Sequence, residues 1–152
     1  MSETTTVQTT AQQDRASLLV VYATVFVYFL GFHALLPIIT PFAMSLGASV
    51  GVAGLIAGAY SAVNLVGNLG AGYWTDRLGR KMPLVVGLVV VGAALLAYPL
   101  AADPQTLFWM RIVHGLGAAL VAPASLSYIG DASVPGKRAR AMAVYGASIG
   151  LT

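Results

Sequence analysis

Long apolar runs, parted by short turns that collect most of the charge, leave this chain few ways to fold. Ser17 to Ile39 carries no Asp, Glu, Lys or Arg. At about 1.5 Å of rise per residue, a helix of that length crosses the hydrocarbon core of a bilayer. Similar runs follow at about 50–74, 83–102 and 105–130. The expected fold is all-α and membrane-embedded. Composition agrees: 58% of the 152 residues are hydrophobic and 9% are charged, where a soluble domain has about 25% charged residues.

A net charge of +3 could suggest nucleic acid, but the basic residues sit in short loops between spans, where they set topology, so no nucleic-acid partner is expected. Arg15, Arg77, Arg80, Lys81, Lys137, Arg138 and Arg140 fall on one side, and no Lys or Arg falls in the turns at 44–49 and 103–104. That bias places the N-terminus and the basic loops in the cytoplasm. The chain has no cysteine, which excludes disulfides and thiolate metal sites. Residues 1–16 form a Thr/Gln-rich tail with little apolar surface, expected to be disordered and cytoplasmic. The tail lacks the basic start and cleavage site of a signal peptide.

The most specific stretch is the turn from Gly72 to Lys81. With the preceding helix ending near Trp74, Asp76 lies close to the negative end of that helix's dipole, where a carboxylate needs a basic partner. Arg77, Arg80 or a basic residue from another loop can provide one. Gly79 permits the tight reversal, and Pro83 suits the first turn of the next helix. The pattern Gly72-x3-Asp76-Arg77-x-Gly79-Arg80-Lys81 resembles the loop signature between the second and third helices of the major facilitator superfamily of secondary transporters. In that family the loop forms interdomain charge contacts that hold the outward-facing state. The resemblance implies the same switch role for Gly72, Asp76, Arg77, Gly79, Arg80 and Lys81.

The spans differ in content. In the first, Tyr22, Phe26, Phe29 and His33 recur at helical spacing, and Pro37 and Pro41 are expected to kink or open its far end. In the second, Gly51, Gly54 and Gly58 share a face suited to close helix approach. Tyr60, Asn64 and Asn68 lie roughly opposite, where lipid would suit them poorly. His33, Tyr60, Asn64 and Asn68 are candidate substrate-path residues, with interhelical packing as the alternative. The third span is apolar and reads as a supporting helix with little chemistry. The fourth opens with the aromatic pair Phe108 and Trp109 and is followed by the basic loop 131–140, which includes Pro135.

Arg111 is the one charge inside a span. It shares a helical face with His114, Gly115, Ala118, Ala122 and Ser125, which suits a cavity or a tight helix contact. It also lies near the Trp109 end, from which a long side chain can snorkel to headgroups. Arg111-x2-His114-Gly115-x-Gly117-Ala118-Ala119 is similar to the fourth-helix signature of the same superfamily, widespread in its proton-coupled members. There the Arg faces the central cavity and is implicated in proton coupling. The resemblance implies that role for Arg111, His114 and Gly115. His114 stands where the signature usually has Gln. It can join the coupling, since imidazole titrates near neutrality, or make an ordinary helix-to-helix hydrogen bond.

Residues 141–152 span about 18 Å as a helix, short of the roughly 30 Å hydrocarbon core. Gly146 and Gly150 nonetheless suit helix packing. The expectation is a partial N-terminal bundle of the major facilitator fold, with four full spans and a truncated fifth. The resemblance implies a proton-coupled efflux antiporter of small molecules or drugs, working by alternating access in the plasma membrane. Its partners would be the lipid bilayer, its substrate, protons and the C-terminal half of the transporter. The alternative is a small non-transporting membrane protein that assembles with or regulates a partner. The sequence shows no metal-ligand spacing, phosphate loop or nucleophile with a base. No metal or cofactor is expected, and an enzyme is not.

Overall fold

The computed structural model describes residues 2–133 and 136–152, with side chains from Ser17 onward. Pro135 therefore lies outside the described residues. The helices are α1 (Ser2–Ser45), α2 (Val50–Leu78), α3 (Lys81–Ala97), α4 (Pro104–Ala132) and α5 (Arg138–Gly150), with a 3-10 turn at Tyr98–Leu100. Four stretches are long and apolar enough to cross a membrane: Ser17–Ser45, Val50–Leu78, Lys81–Leu100 and Pro104–Ala132.

Several boundaries differ from the sequence reading. α1 reaches back to Ser2, through the stretch expected to be disordered. A nucleated helix extends through Thr and Gln at a propensity cost below about 0.7 kcal/mol per residue. α1 also continues past Pro37 and Pro41 to Ser45 rather than opening there. Both prolines are exposed, while Ile39 and Ala43 between and beyond them are buried and hold that end in place. α2 ends at Leu78, a turn later than the expected Trp74. Gly79 stops it with φ of 77°, a left-handed value that a side chain disfavours.

The chain divides into two units, Met1–Leu30 with Leu126–Thr152, and Gly31–Ser125. In the second unit, Ile39, Ala43, Ala53, Ile56, Tyr98, Ala101 and Leu107 form one buried cluster. It joins the end of α1, the start of α2, the 3-10 turn and the start of α4. Further along, α4 packs closely on α2 and α3 through glycine. A Cβ on Gly115 would lie 2.8 Å from the Tyr60 carbonyl oxygen, and one on Gly67 would lie 2.6 Å from Ala119 Cβ. On the α3 side, a Cβ on Gly87 would lie 2.7 Å from the Gly117 carbonyl oxygen. These are the close approaches that small residues permit between membrane helices. Gly51, Gly54, Gly58, Gly146 and Gly150, expected to serve that purpose, have no described atom near enough to touch an added Cβ.

In the first unit, Tyr22 Oη donates to the Ala141 carbonyl at 3.1 Å, tying α1 to α5. Arg138 Nε and Nη2 donate to the Gly130 carbonyl at 3.2 and 3.0 Å. A guanidinium there satisfies a carbonyl near the end of α4 and suits the negative end of its dipole.

Candidate functional site

Four side chains meet inside the second unit: Tyr60 from α2, Tyr98 from the 3-10 turn, and Arg111 and His114 from α4. Arg111 and His114 are one helical turn apart and so present to the same neighbours. Pro99 has no N–H for a further α-helical bond, so α3 tightens into the 3-10 turn that carries Tyr98.

Arg111 is 2% exposed, which excludes snorkelling within this structure. Its Nε and Nη2 donate to the carbonyls of Ile56 (3.4 Å) and Ala57 (3.1 Å) on α2. Those carbonyls lie within the α2 helix, so the guanidinium uses their second lone pairs. Nη1 donates to Tyr98 Oη at 3.4 Å, and the cation sits 4.7 Å from the centre of the Tyr60 ring. None of these partners is a carboxylate. The charge is held by carbonyl dipoles, a phenol and an aromatic face, all of which are weaker than an ion pair.

His114 is 1% exposed. Its Nδ1 lies 2.7 Å from Tyr98 Oη, and its ring stands edge-on to Tyr60 at 4.9 Å. Tyr98 Oη accepts from Arg111 and retains its own hydrogen, which His114 Nδ1 is placed to accept. That assignment puts the imidazole hydrogen on Nε2, which is buried without a hydrogen-bond partner. Tyr98 thus bridges the arginine and the histidine. The third span reads from its sequence as a supporting helix, so Tyr98 is a site residue that sequence alone does not single out. The available signal was a tyrosine at the end of an otherwise apolar run, since a buried phenol needs a partner.

The structure separates the other candidates. Tyr60 joins the cluster and also stacks on Phe32 at 4.9 Å. His33 neighbours Phe32 at 5.4 Å and is half-buried. Asn68 donates to Asn64 Oδ1 at 3.0 Å one turn apart on α2, and Asn68 is exposed. Gly115 packs on the Tyr60 backbone. Of the first-helix aromatics, Tyr22 bonds Ala141, Phe26 is exposed and Phe29 meets Tyr28 edge-on at 4.9 Å. Among the described residues, no group of three or more His, Cys, Asp or Glu could hold a metal ion.

In the α2–α3 turn, Arg80 Nη1 reaches Asp76 Oδ1 at 3.5 Å, with Asp76 78% exposed. Arg80 therefore supplies the basic partner that a carboxylate in the last turn of α2 requires. An exposed pair of this kind contributes about 0–1 kcal/mol. Arg77 lies over the Tyr73 ring at 4.5 Å. Gly72 is exposed, and Lys81 opens α3.

Comparison with known proteins identifies the family. The sequence profile of the Major Facilitator Superfamily matches residues 21–152. The chain is 27% identical over 137 residues to multidrug resistance protein 2 of Bacillus subtilis (strain 168), covering 90% of this chain and 34% of that protein. It is 34% identical over 124 residues to the inner membrane transport protein YajR of Escherichia coli (strain K12), covering 81% and 27% respectively. A shorter match, 42% over 76 residues, is to the puromycin resistance protein pur8 of Streptomyces alboniger. The chain thus spans about a third of the length of the relatives it matches most fully. The loop signature, the membrane-spanning helices and a profile match along nearly the whole chain agree, and the protein is a multi-pass membrane protein belonging to the Major Facilitator Superfamily.

Proposed function

We propose that this chain supplies the leading helices of a transporter that exports drug-like small molecules in exchange for protons, by alternating access in the plasma membrane with its N-terminus cytoplasmic. The observation that carries the proton part is Arg111, a cation buried in a membrane span with no counter-charge among its described partners. Ionisable groups at that depth are expensive to hold for packing alone. Two relatives bearing multidrug-resistance names support the exporter part.

In this reading Arg111 and His114 form the coupling pair. A neutral His114 accepts at Nδ1 from Tyr98. A protonated His114 can only donate there, which reverses the bond between α4 and the end of α3. Arg111, held on α2 carbonyls, would change partners as α4 moves against α2. Gly72, Asp76, Arg77, Gly79, Arg80 and Lys81 form the switch turn, while His33, Asn64 and Asn68 border the substrate path.

The test replaces the matched stretch of the Bacillus multidrug resistance protein 2 with this chain. Dye export by proteoliposomes is then measured across pH under an imposed proton gradient, at matched protein levels. The chimera exports, Arg111→Lys severely impairs coupled export, and Arg77→Lys in the exposed turn impairs it less. Lysine keeps the charge but lacks the planar fork that reaches several acceptors at once. Full coupled export by Arg111→Lys would discard the coupling role. A correctly inserted chimera that exports nothing would discard the exporter reading.

A further inference from the structure

The first unit contains a recess that none of the roles above uses. It lies between α1 and the start of α5, holds about 230 Å3, and is lined by Leu18, Tyr22, Ser133, Lys137, Arg140 and Val144 together with Ala141. The Tyr22–Ala141 hydrogen bond shapes it by pinning the two helices together. Leu18 lies one turn before Tyr22 on α1. Lys137, the residue before α5, and Val144 on α5 lie about one turn to either side of Ala141.

Its chemistry is one-sided. Lys137 and Arg140 are exposed, and neither side chain has a hydrogen bond or ion pair with a described residue. Arg138 between them is instead engaged by the Gly130 carbonyl. Among the described residues, no carboxylate lines the recess. The Tyr22 and Ser133 hydroxyls already donate their hydrogens, to the Ala141 and Ile129 carbonyls. The donors left to a ligand are the two cations. The opposite wall, Leu18 and Val144, is aliphatic, and Leu18 stands at the edge of the span Ser17–Ser45.

We propose that this recess binds an anionic phospholipid, its phosphodiester between Lys137 and Arg140 and the start of an acyl chain against Leu18 and Val144. Two cations with no partner among the described residues complement the phosphate. The aliphatic wall at the edge of a membrane span distinguishes a lipid from a free anion, which would gain nothing from it. The volume suits a phosphodiester and its glycerol carbons, with the chains running out along the exposed Leu19 and Val20 side of α1.

The experiment is native mass spectrometry of the detergent-solubilised chain with phosphatidylglycerol or phosphatidylcholine added. The parent retains phosphatidylglycerol preferentially. Lys137→Gln with Arg140→Gln weakens that retention by roughly tenfold to thirtyfold, as expected for two cations at a lipid headgroup. Val144→Trp keeps every charge but fills the recess, and lowers retention as well. Arg77→Gln with Lys81→Gln removes the same charge from the α2–α3 turn and leaves retention near the parent's. Helical content by circular dichroism confirms that each variant is folded. The assignment is overturned if the 137/140 pair binds like the parent, or if the 77/81 pair loses as much. It is also overturned if inorganic phosphate displaces the lipid as well as a short-chain phosphatidylglycerol does, because the site would then take an anion and no lipid.

Discussion

Replacing Gly115 by alanine tests whether α4 is seated on α2 as closely as the structure has it. The new Cβ would lie 2.8 Å from the Tyr60 carbonyl oxygen, 3.1 Å from Val63 Cβ and 3.3 Å from Tyr60 Cα. Two of those atoms are helix backbone and cannot rotate aside, so α4 must recede by about half an ångström to reach ordinary contact. That displacement falls on Arg111, one turn away, whose bond to the Ile56 carbonyl is already 3.4 Å long. Overpacking alone costs about 1–3 kcal/mol, and loss of a hydrogen bond to a charged group adds about 1.5–3 kcal/mol where it breaks outright. Gly54→Ala is the matched control, because its Cβ meets nothing within 4 Å. There the better helix propensity of alanine leaves stability unchanged or raises it by up to about 1 kcal/mol. Unfolding in mixed micelles, followed by the fluorescence of Trp74 and Trp109, reads both variants. If Gly115→Ala is as stable as Gly54→Ala, the glycine contact between α2 and α4 is wrong.

Tyr98→Phe strips the bridge between Arg111 and His114 and leaves His114 Nδ1 buried without a donor, so the same assay should show a loss of about 1–3 kcal/mol. Tyr73→Phe, which keeps its ring under Arg77 in the exposed turn, should lose little, and equal losses would contradict the bridging role. Asp76→Asn breaks a pair that is mostly solvent-exposed, so stability should move by no more than about 1 kcal/mol. Export by the full-length chimera should nonetheless fall strongly, and near-normal export would make the turn merely topological. Asp103 accepts from the backbone N–H of Thr106 at 2.8 Å and from its hydroxyl at 2.9 Å. Those two bonds hold its carboxyl below the ordinary 3.8. A folded-state pKa lowered in this way means that the cap stabilises α4 fully above the unfolded value and is lost as pH falls through the folded one. Asp103→Asn should abolish that acid dependence, and an NMR titration midpoint for Asp103 at or above 3.8 would contradict the capping account.

Much of this protein is legible along the chain because its determinants are local. An uncharged run as long as Ser17–Ile39 must satisfy its backbone internally once in lipid, so helix follows from hydropathy alone. Gly79 and the basic cluster beside it mark a reversal wherever the helices go, and the ten-residue pattern from Gly72 to Lys81 is specific enough to carry the family. Arg111 and His114 are one turn apart, so their shared face is visible on a helical wheel.

What the chain does not display is the rotation of each helix and the identity of its neighbour. Hydropathy is nearly uniform around these helices, since lipid and protein interior are both apolar, so no amphipathic stripe points to the buried side. The spacing of Gly51, Gly54 and Gly58 marks one contact face, but nothing along the chain marks Gly67, Gly87, Gly115 and Gly117, where the described helices come closest. For the same reason Arg111 could be read as snorkelling or as buried, and Tyr98 drew no notice at all. Sequence by itself determined the number of spans, the turns and the family, because each follows from composition over a short stretch. Only the tertiary structure decided that Arg111 rests on the carbonyls of Ile56 and Ala57, with Tyr98 between it and His114. Those contacts join residues 13 to 55 positions apart, and only helix packing brings them within hydrogen-bonding distance.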